Sequence, residues 1–196
     1  MSMRPARRAG GEVLRGIVEL ALLRPGGMER FSGTREGFLA SLAALFLFLL
    51  AGDVLQAPWG GTALTVLSLL LRGVVGLLAP PVLSEAMARA WGRQALWLRY
   101  ATAFNWTRWA MIAVAMAVQW GIGLFIGAGM QPRQAVLLGL AAIGIYGAVL
   151  DWFVARTGLR LYGWQAVVLV LVVDIGSGLL ILLPGILSGT PMGLGA

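Results

Sequence analysis

The 196-residue chain is 59% hydrophobic and only 12% charged, which excludes a water-soluble globule because one this small needs more polar surface. It has neither cysteine nor histidine, so disulfides, thiol nucleophiles, histidine bases and histidine-ligated metal or haem are excluded. The fifteen basic residues are all arginine and give a net charge of +7. They flank apolar runs and form no basic block, so no nucleic acid is expected as a partner. The composition predicts an integral membrane protein whose first partner is the lipid bilayer.

A helical repeat lies within the polar N-terminal segment, residues 1–36. Val13, Ile17 and Leu20 fall on one side of a helix over residues 11–23, and charged residues fall on the other side. About 13 residues with internal charges are too few to span a bilayer. The pattern therefore predicts an amphipathic interfacial helix that lies on the membrane surface or against the helix bundle.

Five apolar segments follow, each long enough to cross about 30 Å of hydrocarbon at about 1.5 Å per residue. They run over residues 37–57, 62–84, 103–129, 134–155 and 164–187. Most links between them are short, which favours antiparallel neighbours, and the longer link over 85–102 has room for a short interfacial helix. The predicted fold is all-α, a polytopic bundle of five transmembrane helices over 37–188 with a short tail at 189–196.

The arginines predict the orientation of this bundle. Thirteen of the fifteen precede the first span, lie between or at the edges of the second and third spans, or lie between the fourth and fifth, and Arg133 alone falls on the other side. The positive-inside rule places the thirteen in the cytoplasm. We expect a multi-pass protein of the bacterial inner membrane with a cytoplasmic N-terminus and a periplasmic C-terminus.

Two charged residues stand near the middle of predicted spans. Arg72 lies about ten residues into the second span and Asp174 about ten into the fifth, which puts both about 15 Å from either end. A lone charge at that depth costs at least about 2.5 kcal/mol, so we expect Arg72 and Asp174 to form an ion pair with Gln119 of the third span alongside. The pair could serve a proton or ion relay or a polar substrate, or it could simply fix helix register. We favour the structural role, because a relay normally shows several carboxylates at matching depth.

Asp151 lies one turn from the cytoplasmic end of the fourth span and shares a helix face with small residues. It is expected to point into the bundle, where Arg108, Asn105 or Arg156 could reach it. Asp53, near the outer end of the first span, is expected to be solvated.

Small residues mark a second face on the third span. Ala113, Ala117 and Gly121 recur every four residues, and Gly123 and Gly127 add a GxxxG spacing, which permits close helix approach. We favour contact within the chain over contact with another protomer. In the second span, the prolines at positions 80 and 81 are expected to kink or end the helix.

The layout also resembles a known family. A surface helix ending in Leu-Leu-Arg-Pro (residues 22–25) precedes the first span, and a basic stretch separates the second span from the third. With five helices in all, this resembles bacterial members of the Yip-domain membrane proteins, whose eukaryotic branch works with Rab GTPases in vesicle traffic. The resemblance implies a membrane scaffold or a recruiter of other membrane proteins, with no catalytic residues.

The expected function is therefore a non-catalytic scaffold or accessory subunit that binds other membrane proteins or itself. No catalytic, cofactor or metal site is expected, because clustered acids and a His-Asp pair are missing from the sequence. The alternative is a small transporter or channel that uses Arg72 and Asp174.

Overall fold

In the computed structural model, the backbone is described for residues 4–56 and 63–187, and the side-chain surroundings for residues 10–47 and 70–182. Every regular element in these ranges is helical. The six α-helices and one 3₁₀ segment are α1 (Arg4–Ala21), the 3₁₀ segment (Pro25–Arg30), α2 (Arg35–Gln56), α3 (Ala63–Ala90), α4 (Gln94–Gly127), α5 (Pro132–Leu159) and α6 (Gly163–Leu187).

Four helices are long and apolar enough to cross a membrane within the described part of the chain. They are Leu70–Ala90, Gln94–Gly127, Pro132–Leu159 and Gly163–Leu182. Each overlaps one of the expected second to fifth spans. The first expected span coincides with α2, whose side chains are described only up to Leu47. The side chain of Asp53, the link at 58–61, the start of the second span and the tail at 189–196 lie outside the described residues.

The links between the later helices are shorter than expected. α3 continues to Ala90 and α4 begins at Gln94, so the remaining link at 91–93 has no room for the separate interfacial helix that the sequence allowed. Two tight turns depend on left-handed glycines, Gly92 with φ of 66° and Gly129 with φ of 94°, a conformation that costs other residues energy. Sequential spans are therefore antiparallel neighbours.

The prolines at positions 80 and 81 lie inside α3 and do not end it. The Ser84 hydroxyl donates to the Pro81 carbonyl at 3.1 Å. Proline has no N–H, so the carbonyls four residues earlier, on Gly76 and Leu77, lack their helical donors. α3 thus continues past the two prolines, and the carbonyls of Gly76 and Leu77 lack their usual helical hydrogen bonds.

The N-terminal segment packs as a cap on one end of the bundle. The links at 91–93 and 160–162 lie at this end and carry Arg93 and Arg160, so we call it the arginine-rich end. Ile17, Leu20, Met28 and Phe31 are buried, and they join one apolar cluster with side chains of α4, α5 and α6. At Gly16 a Cβ would lie 2.9 Å from the Phe31 ring, so glycine permits the close return of the chain over α1. α1 thus packs against the bundle, one of the two placements expected for it.

Ion pairs hold the cap together. Arg30 donates from Nε and Nη2 to the Glu19 carboxylate at 2.7 and 2.8 Å and from Nη1 to Glu12. The hydrogen bond from Arg30 is the main reason that the pKa of Glu19 lies below its ordinary value of 4.5, with a smaller contribution from Arg15 that partial burial offsets. The same contacts raise the pKa of Arg30. Tyr146 of α5 donates to the Ala21 carbonyl at 2.8 Å, which fixes the end of α1 on a spanning helix.

Candidate intramembrane polar site

A cavity of about 510 Å³ lies among α2, α3, α4 and α6. Its walls combine apolar side chains with a few polar groups. The residues that line it are Leu45, Gly76, Leu77, Pro80, Phe104, Asn105, Arg108, Val173, Asp174, Ser177, Gly178 and Ile181. An apolar cavity of this size with a few convergent polar groups has the character of a small-molecule site.

Arg108 and Asp151 form an ion pair beside this cavity. Arg108 Nη2 donates to Asp151 Oδ2 at 2.9 Å, with side-chain exposures of 32% and 8% respectively. The guanidinium also lies over the Phe104 ring, 4.1 Å from its centroid, a favourable cation–π contact. The sequence-based expectation that Asp151 points inward and meets Arg108, Asn105 or Arg156 is confirmed for Arg108.

Asp174 contributes the second carboxylate, on α6. It lines the same cavity as Arg108, but the ion pairs within 4.0 Å among the described residues do not include it. One turn further along α6, Ser177 is buried, and its Oγ is the buried side-chain polar atom in the described ranges that has no hydrogen-bond partner. Such an atom is costly to leave unsatisfied, so Ser177 marks a place where a partner is missing.

Asn105 adds an acceptor to the wall on α4. Its Nδ2 donates to Ser41 Oγ of α2 at 3.0 Å, and Ser41 in turn donates to the Phe38 carbonyl at 2.7 Å. Asn105 itself is among the residues that line the cavity. The carbonyls of Gly76 and Leu77, deprived of helical donors by the two prolines, stand on two further lining residues.

The other residues expected at this site lie elsewhere. Arg72 is exposed on α3, and Gln119 is exposed on α4, outside the cavity lining. The pair expected between Arg72 and Asp174 does not occur among the ion pairs of the described side chains. Equal depth in two spans does not determine which helix faces meet, and it is Arg108 that shares the cavity with Asp174.

Sequence reasoning placed Arg108 at the membrane boundary because it started the third span at position 103. α4 starts at Gln94, so Arg108 lies 14 residues inside a helix of 34, about 21 Å from its start. The signal that could have found the site was the combination of Pro80 and Pro81 in α3 with Asp174 and Ser177 one turn apart in α6. Nothing in the sequence indicated that α4 would supply the wall between them.

The small-residue face of the third span also lies in a different environment from the one expected. Ala113 and Ala117 are exposed, and a Cβ on Gly121, Gly123 or Gly127 would have no described neighbour within 4 Å. Among the described residues, this face therefore does not pack against another helix of the chain, contrary to the expectation. Close approach between α4 and α5 occurs at Gly139 instead, where a Cβ would lie 2.6 Å from Ile122 Cδ1.

The arrangement can hold charge inside a largely apolar wall. Arg108 and Asp151 pair with each other, which leaves Asp174 as the carboxylate of the three without a charged partner among the described ion pairs. No three acidic side chains within the described ranges converge as a divalent metal site would require. The fold and the cavity define an all-helical integral membrane protein with a polar cluster among its helices. Comparison with known families, with curated proteins and with solved structures finds no match to this chain.

Proposed function

We propose that the protein is a non-catalytic membrane scaffold or accessory subunit, as the resemblance to bacterial Yip-domain proteins implies. The observation that carries the proposal is the cap at the arginine-rich end. Leu20 and Phe31 are buried there against α4, α5 and α6, and Arg30 bridges Glu12 and Glu19. A rigid cap fastened to the ends of three spans offers a fixed surface to partner proteins.

The orientation and location of the chain belong to the same proposal. The protein spans the bacterial inner membrane five times, α2 being the first span, and its cap lies on the cytoplasmic side. Leu14 and Val18 of α1, with Leu22 just after its end, form an exposed apolar stripe, and Tyr146 of a spanning helix hydrogen-bonds the end of α1. Both observations support an interfacial position for α1, with this stripe in contact with lipid.

The test is a stoichiometric partner that depends on the cap. Tagged full-length protein would be purified in mild detergent as wild type, as Arg30→Ala and as Arg133→Ala, which removes an exposed arginine from the opposite end. We expect another membrane protein, or a second copy of the chain, to co-purify with wild type and Arg133→Ala and to be lost from Arg30→Ala. A homogeneous monomer in all three preparations would overturn the scaffold proposal.

A second function, a small transporter or channel, is favoured by one observation: the cavity that holds Arg108 and Asp174 among four helices. Its polar centre is Arg108, Asp151 and Asp174 in place of the Arg72 and Asp174 pair. The test is solute or proton flux in proteoliposomes, which Asp174→Asn should abolish. As the control, Glu85→Gln changes a carboxylate near the end of α3 that does not line the cavity, and it should leave the flux unchanged. Flux equal to that of empty vesicles would exclude this role.

A further inference from the structure

We infer that the cavity among α2, α3, α4 and α6 is a binding site for a small organic cation that carries a primary ammonium group. The inference concerns binding and deepens the second candidate function without requiring flux, and it is independent of the scaffold proposal. Three properties of the cavity lead to it: its residual charge, its oxygen acceptors and its size.

The first property is the residual charge of the cavity. Arg108 is committed to Asp151 at 2.9 Å and to the face of Phe104. Asp174 lines the same cavity and has no partner among the described ion pairs. The cluster thus holds one more carboxylate than guanidinium. Asp174 is exposed on α6 where it borders the cavity, and a carboxylate among apolar side chains without a protein counter-charge favours a cation over an anion or a neutral solute.

The second property is the set of oxygen acceptors in the cavity wall. Ser177 Oγ, on the same helix as Asp174, is buried and unpartnered. Asn105 donates its amide nitrogen to Ser41 and is also among the residues that line the cavity. The two prolines of α3 free the carbonyls of Gly76 and Leu77. An ammonium group has three donors and no acceptor, so it fits a wall of oxygen acceptors around one carboxylate.

Size and wall chemistry decide between an organic and an inorganic cation. A cavity of about 510 Å³ is far larger than a bare ion and falls in the range of small-molecule pockets. Leu45, Leu77, Phe104, Val173 and Ile181 supply apolar surface for a hydrocarbon body. An amine with a short aliphatic or aromatic group satisfies both parts of the wall, which a hydrated metal ion does not.

The probe for the test is n-propylammonium, which is too polar to enter micelles in quantity. Full-length protein in detergent would be titrated with n-propylammonium, with neutral propan-1-ol and with propionate, and both heat of binding and melting temperature would be recorded. We expect a saturable heat and a rise in melting temperature with n-propylammonium alone, because ligands that bind the folded state stabilise it.

Two variants and a matched control locate the site. Asp174→Asn should weaken n-propylammonium binding about tenfold or more, the effect of losing about 1.4 kcal/mol, and Ser177→Ala should weaken it by a smaller factor. Glu85→Gln removes one carboxylate in an exposed pair with Arg89 at the end of α3 and should bind like wild type.

Each unfavourable result has a definite reading. Equal binding by wild type and Asp174→Asn, equal effects of propan-1-ol and n-propylammonium, or no saturable heat would each overturn the inference. Ser177→Ala provides the same test if Asp174→Asn does not fold. If n-propylammonium binds but no flux is measured, the transporter function is rejected and the binding site stands. Loss of the co-purifying partner from Arg30→Ala tests the scaffold proposal and not this site.

Discussion

Two leucines ten residues apart on α5 show how differently the two halves of the bundle are built. Leu150, near the arginine-rich end, has an exposure of 0%, whereas Leu140, toward the other end, has an exposure of 60%. The first belongs to the apolar cluster that includes the buried side chains of the cap, and the second is exposed on the described surface, where lipid is expected to cover it. Equal hydrophobicity along a spanning helix therefore does not imply equal packing of its side chains.

Glycines show the same contrast. At the arginine-rich end, a Cβ on Gly158 would lie 3.0 Å from Tyr100 Cβ and 3.1 Å from Met28 Cε, so the three elements meet there. On the outer half of α4, Gly123 and Gly127 face open space in the described structure. Since lipid tails are as apolar as leucine, only close packing distinguishes a protein contact from a lipid contact inside the membrane. By that criterion the arginine-rich half is the organised part of the described bundle.

The sharpest test of this contrast is the same substitution in both halves. Leu150→Ala should lower the free energy of unfolding in detergent by about 2–4 kcal/mol, because it leaves a cavity in a packed site. Leu140→Ala should change it by less than about 0.5 kcal/mol, because lipid or detergent fills the space. Unfolding would be followed by tryptophan fluorescence as sodium dodecyl sulfate is added. Equal losses in the two variants would remove the distinction between the halves.

The next largest effect concerns the ion pair of Arg108 and Asp151. Asp151→Leu leaves Arg108 without its partner and should cost about 2–3 kcal/mol, less than a fully buried pair because Arg108 is 32% exposed. The double variant Arg108→Met/Asp151→Leu should recover most of this loss, since a well-packed apolar pair can replace an ion pair. Stability of the double variant no better than that of Asp151→Leu alone would mean that the pair is not the unit that matters.

A pair of glycine substitutions within α1 probes the cap itself. Gly16→Ala puts a methyl group 2.9 Å from the Phe31 ring and should destabilise the cap by about 1–2 kcal/mol. Gly10→Ala, on the same helix with open space around it, should be neutral or stabilise by up to about 1 kcal/mol, because alanine is the better helix former. The rate of proteolysis within residues 22–35 would report both effects. Similar rates for the two variants would argue against a closely packed cap.

The smallest expected effect is a dependence of the cap on pH. Glu19 has a lowered pKa in the folded protein, chiefly through its hydrogen bond from Arg30, so ionised Glu19 favours the folded cap. Its stabilising contribution is complete above the ordinary pKa of 4.5 and is lost as pH falls through the lowered value. Proteolysis by an acid-active protease should accelerate over that range in wild type but less so in Glu19→Gln. An identical pH profile in the two proteins would contradict the assignment.

Part of the site followed from sequence patterns and part did not. The inward direction of Asp151 was readable because small residues share its helix face, and Arg108 was among its three expected partners. Asp174 was recognised as an intramembrane charge, but Arg72 was chosen as its partner from depth alone. Depth along a span is a one-dimensional quantity, whereas an ion pair also requires that the two helices be neighbours with the right faces turned toward each other.

Composition and periodicity by themselves determined that this is an all-helical membrane protein, roughly where the later spans lie, and that a helix covers residues 11–21 before the first of them. These properties are local, since they depend on how many consecutive residues avoid water and how often apolar side chains recur along the chain. Only the tertiary structure decided that the N-terminal segment packs as a cap, that Arg108 and Asp174 share a cavity, and that the glycine face of α4 lies on the surface. Those outcomes depend on how helices distant in sequence rotate and pack against one another, which a local repeat does not encode.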